Sequence, residues 1–172
     1  MSRLITLWLD ICLLRAGPQD LPHSQTLLGL TLGGYVLVSF LLSAAGYPVG
    51  TAILIALVDL ALLLIFAISL LFLVGKINRL TQTLTALVGT GTLLGLIALP
   101  LVQILTREQV SEELVFLVSM LWLLLFGWSL LVVAHIMRHA LSVSLPVALG
   151  ASIVYAVVAM QIIGLLFPVE TV

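Results

Sequence analysis

Between Leu27 and Phe167 the chain holds five apolar runs, and of all its Asp, Glu, Lys and Arg residues only Asp59 falls inside them. The runs are Leu27 to Gly46, Thr51 to Gly75, Leu84 to Leu105, Leu114 to Met137, and Val143 to Phe167. A helix needs about 20 apolar residues to cross the hydrocarbon core of a bilayer. Each run meets that length. The chain is 63% hydrophobic and 8% charged, whereas about a quarter of the residues of a soluble domain are charged. There is too little polar surface here to cover so much apolar mass. The pattern predicts an all-α polytopic membrane protein with five transmembrane helices.

The connections read "YPVG", "KINRLTQT", "TREQVSEE" and "RHALS". Such short links force consecutive spans to run antiparallel. None is long enough to form a separate folded domain. Two regions follow, a short leading segment over 1–26 and a five-span membrane domain over 27–172.

The leading segment, "MSRLITLWLDICLLRAGPQDLPHSQT", is apolar but broken by Arg3, Asp10 and Arg15. Asp10 interrupts what would be the core of a signal peptide, and "LRAGPQD" is a poor cleavage site. About 15 residues rise only about 22 Å as a helix, too little to span. At 100° per residue, Ser2, Arg3, Thr6 and Asp10 share one narrow face, with Leu4, Ile5, Trp8, Ile11 and Cys12 mostly opposite. The expectation is an interfacial amphipathic helix over 2–16, ended by Gly17 and Pro18 and half sunk in the membrane surface; the alternative is a helix packed against the bundle. Ser24 is the expected N-cap of the first span.

With the N-terminus inside, Arg3, Arg15, Lys76, Arg79 and Arg138 all fall on the inner side. Arg107 alone falls outside, beside Glu108, Glu112 and Glu113, and Glu170 lies outside with the C-terminus. This follows the positive-inside rule. The inner-side residues Arg3, Trp8, Arg15, Lys76, Arg79 and Arg138 are expected at the lipid interface. A net charge of −1 offers no basic surface for nucleic acid.

Asp59 sits about 12 Å below the outer end of the second span by helical rise. A lone ionisable group in a span is a functional candidate by default. Counted along the spans, Ser39, Ser119 and Gln161 lie near its depth, with Tyr155 deeper. Two readings stand. One is a proton or cation site. The other, favoured, is a carboxyl that ties helices together through hydrogen bonds.

His135 and His139 are four apart on one helix face, and His23 lies on the same side of the membrane. Three imidazoles could hold zinc or nickel, although ring and headgroup contacts explain them more simply. A single cysteine, Cys12, excludes a thiolate cluster and an internal disulfide. No cofactor is expected. Gly91 and Gly95 form a G-x-x-x-G pair, and Ala148 and Ser152 begin a second stripe of small residues. Both permit close helix approach, within the bundle or between copies. No G-x-S-x-G or H-E-x-x-H occurs. His135 and Asp59 stand at opposite depths, so they cannot form a catalytic pair. Enzymatic activity is not expected.

The segment "NRLTQTLTALVGTGTLLGLIALPL" (78–101) and the segment "GWSLLVVAHIMRHALSVS" (127–144), within a layout of a leading amphipathic segment and five tightly linked spans, resemble the Yip-domain family of membrane proteins. The resemblance implies a five-helix bundle without catalysis. Eukaryotic members are associated with Rab-type GTPases and vesicle traffic, often through a longer cytosolic N-terminal region. Here about 26 residues precede the first span, so the compact form resembles bacterial members and implies an inner membrane. The expected role is a scaffold or adaptor for lipids, for another membrane protein or for a second copy. The alternative is a small transporter or channel component centred on Asp59.

Overall fold

A computed structural model describes residues 2–107 and 110–168, with side chains from Leu4 onward. The described residues form six α-helices: α1 (Ser2–Cys12), α2 (Gln25–Ser43), α3 (Val49–Leu73), α4 (Leu80–Leu105), α5 (Glu112–Leu141) and α6 (Leu145–Leu166). Single 3-10 turns at Pro18–Asp20 and Ile77–Arg79 precede α2 and α4. Helices α2 to α6 are each long and apolar enough to cross a membrane, the 3-10 turn at Ile77 continuing into α4.

The element ends follow local chemistry. Ser24 caps α2, its hydroxyl accepting from the Leu27 amide at 3.3 Å. Gly75 has φ +70. Beside it the Lys76 amide returns to the Leu71 carbonyl at 2.8 Å, closing α3 as a glycine C-terminal motif does. Helix α1 ends at Cys12, short of the expected Gly17. Leu14 takes a left-handed conformation, φ 61, and the Arg15 amide closes back on the Asp10 carbonyl at 2.8 Å. A bulky residue in that region costs about 1–2 kcal/mol, which the anchoring of the following segment must offset. The fourth helix begins at Leu80 rather than Leu84, because "LTQT" is polar without being helix-breaking.

Short links make the five long helices alternate in direction, so Lys76, Arg79 and Arg138 share one end of the bundle, the basic end. Helix α4 is central and packs chiefly on α2 and α5. From Thr83 to Thr90 it is buried without a break, the mark of a helix surrounded on every side. Its buried threonines satisfy themselves. Thr83, Thr85 and Thr90 each donate to the carbonyl four residues back, at 2.8, 2.7 and 2.8 Å.

The hydrophobic core gathers in the same half. Ile11 of α1, Leu21, Leu71, Val88, Val132, Ile136 and Met137 are all buried. The outward faces stay apolar, with Leu30, Phe72, Phe116, Leu124, Val154 and Leu165 exposed. Contiguous apolar surface of that extent needs a nonaqueous neighbour.

Candidate functional site

Asp59 lies ten residues into α3, about 15 Å along its axis. Its Oδ2 accepts two hydrogen bonds from α2, from the Tyr35 hydroxyl at 2.8 Å and from Ser39 Oγ at 3.0 Å. Tyr35 and Ser39 are one helical turn apart, so they present their hydroxyls on one face. The Tyr35 ring rests on α4, where a Cβ added to Gly91 would stand 2.7 Å from it. One turn on, a Cβ at Gly95 would stand 2.6 Å from Val38. Glycine at both positions lets α2 and α4 approach in parallel, and Tyr35 then reaches a third helix.

Of the side chains level with Asp59 by residue count, Ser39 is a partner. Ser119 stays half-buried on α5 and Gln161 exposed on α6, and the carboxyl takes its hydrogen bonds from α2 alone. Tyr155 stacks on Phe66 of α3, centroids 4.5 Å apart. On α6, Ala148 and Ser152 are buried, and Ser152 Oγ donates to the Leu149 carbonyl at 2.9 Å and the Leu130 carbonyl at 3.2 Å. That stripe faces α5.

A second concentration of polar groups occupies the basic end. Lys76 Nζ donates to the Leu141 carbonyl at 2.7 Å. Arg79 donates to the carbonyls of His139 and Ala140 at 3.0 and 3.1 Å, and to Ser142 Oγ at 3.1 Å. These are the last carbonyls of α5, which have no partner within the helix. Two cations there also meet the negative end of the helix dipole. Lys76 and Arg79, expected to face lipid headgroups, thus spend their hydrogen bonds on α5.

The segment between α1 and α2 crosses this end as a strap tied by its carbonyls. Trp128 Nε1 donates to the Cys12 carbonyl at 3.0 Å. His135 Nε2 lies 3.0 Å from the Ala16 carbonyl. Gln82 Nε2 donates to the Leu21 carbonyl at 2.7 Å and the Gln19 carbonyl at 3.3 Å. Pro18 and Leu21 are buried beneath. Helix α1 itself leans on α4 and α5. Its Trp8, expected at the lipid interface, is instead packed on α4: it covers Gly89 so closely that any Cβ there would overlap the indole, and the indole N–H is buried without a partner. Burial without a charged neighbour pushes the Cys12 thiol from 9.0 up to about 11.

The three histidines do not converge. A carbonyl oxygen can only accept, so the Nε2 of His135 carries its proton toward Ala16 and is closed to a metal. His23 Nε2 faces the Asn78 carbonyl at 3.5 Å. The rings of His135 and His139 meet edge to face at 4.7 Å. Among the described residues no three His, Cys, Asp or Glu side chains form a group that could hold a metal ion.

Two neighbouring clefts open beside the strap. The larger, about 410 Å³, is lined by Arg15, Asp20, His135, Arg138 and His139, with leucines behind them. The smaller, about 210 Å³, shares His139 and is lined by Arg79 and Gln82. Neither includes Asp59. The side chain of Arg3, and Glu108 and Glu170, lie outside the described residues.

Tyr35, Gln82 and Trp128 are site residues that sequence reasoning did not single out. Tyr35 had a readable signal, its spacing of four from Ser39. Gln82 and Trp128 had none, because their partners are backbone carbonyls. No family model, curated protein or solved structure matches the chain.

Proposed function

We propose that the chain is a non-enzymatic integral membrane protein that acts as a scaffold or adaptor for lipids or membrane partners, and that its basic end is the working face. The observation that carries this is the strap. Three side chains from α4 and α5 bind its carbonyls, so a rigid surface is built where a bundle otherwise needs only a link. The basic end faces the cytoplasm of a bacterial inner membrane, by the excess of Lys and Arg there. Helix α1 is the amphipathic element of that face: Trp8 and Ile11 pack on the bundle, and Ile5, Leu9 and Leu13 turn toward lipid. This reading keeps the resemblance to the compact, bacterial Yip type.

Asp59 fits the role of helix tie, since both hydroxyls it engages belong to the neighbouring helix. The second reading, a proton or cation site, draws on one observation: both donors fall on Oδ2, which leaves Oδ1 for another ligand.

Two measurements separate them. Purified protein in liposomes is loaded with a pH gradient, and cross-linking in native membranes compares wild type, Asp59→Asn and a chain lacking residues 2–16. The scaffold reading expects no leak above empty liposomes. It also expects a defined cross-linked species that Asp59→Asn keeps and the deletion loses. A leak present in wild type and altered by Asp59→Asn overturns it in favour of transport.

A further inference from the structure

We propose that the larger cleft at the basic end is a binding site for the phosphate headgroup of an anionic phospholipid. The proposal rests on the orientation and working face given above, and names the ligand that this face takes. Arg15 and Arg138 both line the cleft, together with His135 and His139. Among the described residues neither guanidinium has a hydrogen-bond partner. Their forked N–H groups match phosphate oxygens, several at once.

The local dipoles favour an anion as well. Leu145 opens α6 at the rim of the cleft, and its N-cap Ser144 makes no side-chain hydrogen bond into the first turn. Pro146 has no N–H, and the amides of Leu145 and Val147 are left for an acceptor. The opposing negative end of α5 is already occupied by Lys76 and Arg79, so it does not compete for the two arginines. Asp20 also lines the wall, but its Oδ2 is engaged by the Gly17 amide at 2.8 Å.

The remaining walls select a lipid over a free anion. Leu14, Leu131 and Leu145 line the same cleft. Leu13, next along the strap, is exposed. A headgroup held by the arginines has apolar surface on which its glycerol and first methylenes can lie. Inorganic phosphate would leave that surface in water.

The test uses the full chain in a nonionic detergent and follows its thermal unfolding. Dioleoylphosphatidylglycerol, dioleoylphosphatidylcholine and excess inorganic phosphate are added separately. The expected result is a rise of about 5 °C with the anionic lipid, and no rise with the zwitterionic lipid or with phosphate. Arg15→Ala combined with Arg138→Ala should abolish the rise, while Arg107→Ala, at the opposite end, should keep it. If the double variant unfolds early without lipid, each single variant is read instead and should lose at least half the rise. An undiminished rise in these variants overturns the site. So does a rise with phosphate alone equal to that with lipid, which would assign the cleft to a free anion. The scaffold reading fails separately, through the leak and cross-linking results, whatever lipid the cleft holds.

Discussion

Tyr35 stands on Gly91: a Cβ built on the glycine would lie 2.7 Å from the ring, whose hydroxyl ends 2.8 Å from Asp59 Oδ2. One missing methyl group on α4 thereby decides whether α2 can reach α3. Gly91→Ala should destabilise the bundle by about 1–3 kcal/mol, although alanine gains about 1 kcal/mol in helix propensity. Gly127→Ala, with no atom within 4 Å of the added Cβ, should be neutral or stabilising. Unfolding in detergent with rising dodecyl sulfate checks both.

The hydrogen bond between Tyr35 and Asp59 should have a measurable coupling. A double-mutant cycle of Tyr35→Phe and Asp59→Asn should return about 0.5–2 kcal/mol, the range for polar pairs between membrane helices. A coupling near zero would mean that the two side chains do not act on one another in the folded protein.

Trp8 presents an unusual balance. Its ring fills the space over Gly89, yet its N–H is buried without an acceptor. An unmet buried donor costs about 1–3 kcal/mol. Trp8→Phe removes that cost with part of the packing, and should fall within about 1 kcal/mol of wild type. Trp8→Ala empties the site and should cost about 2–4 kcal/mol. Comparison of the two unfolding midpoints decides whether packing or the stranded N–H dominates.

Cys12 reports whether α1 stays docked. The thiolate is the nucleophile, and burial moves the thiol from 9.0 up to about 11. At pH about 8 the reactive fraction is then about a hundredfold below that of an ordinary cysteine. Alkylation by iodoacetamide should rise about tenfold per pH unit and level off only near pH 11. A plateau near 9 would show α1 leaving the bundle. Gly89→Ala, which displaces Trp8, should produce that plateau.

Arg79 holds the end of α5. Arg79→Ala should loosen the turn at residues 138–142 by about 0.5–1 kcal/mol. Hydrogen exchange of those amides should accelerate while α2 and α3 stay unchanged.

Much of this was legible in the residues. The five long apolar helices were readable because hydropathy records length directly, and the short links set their alternation. Ser39 could be paired with Asp59 by counting depth. Depth says nothing about azimuth, however, so it does not reveal that Ser119 and Gln161 make no hydrogen bond to Asp59. Depth alone also passes over Tyr35: counted by its Cα it lies a turn away, its spacing of four from Ser39 is the one signal, and its long side chain closes the gap. The roles of Lys76 and Arg79 were obscured because their partners are carbonyls, which every residue has. The early end of α1 depends on Leu14 adopting a conformation that its side chain disfavours, and no local rule foresees that.

The strap also sets an order in time. Cys12 and Ala16 find their partners 116 and 119 residues later in the chain. At a synthesis rate of roughly 5–20 residues per second, α1 waits roughly 6–24 s for the surface it will rest on. Until α4 and α5 have been made, Ile11 and Trp8 lack the surfaces they pack against. Helix α1 therefore docks only once α4 and α5 have been made, with α6 still to follow.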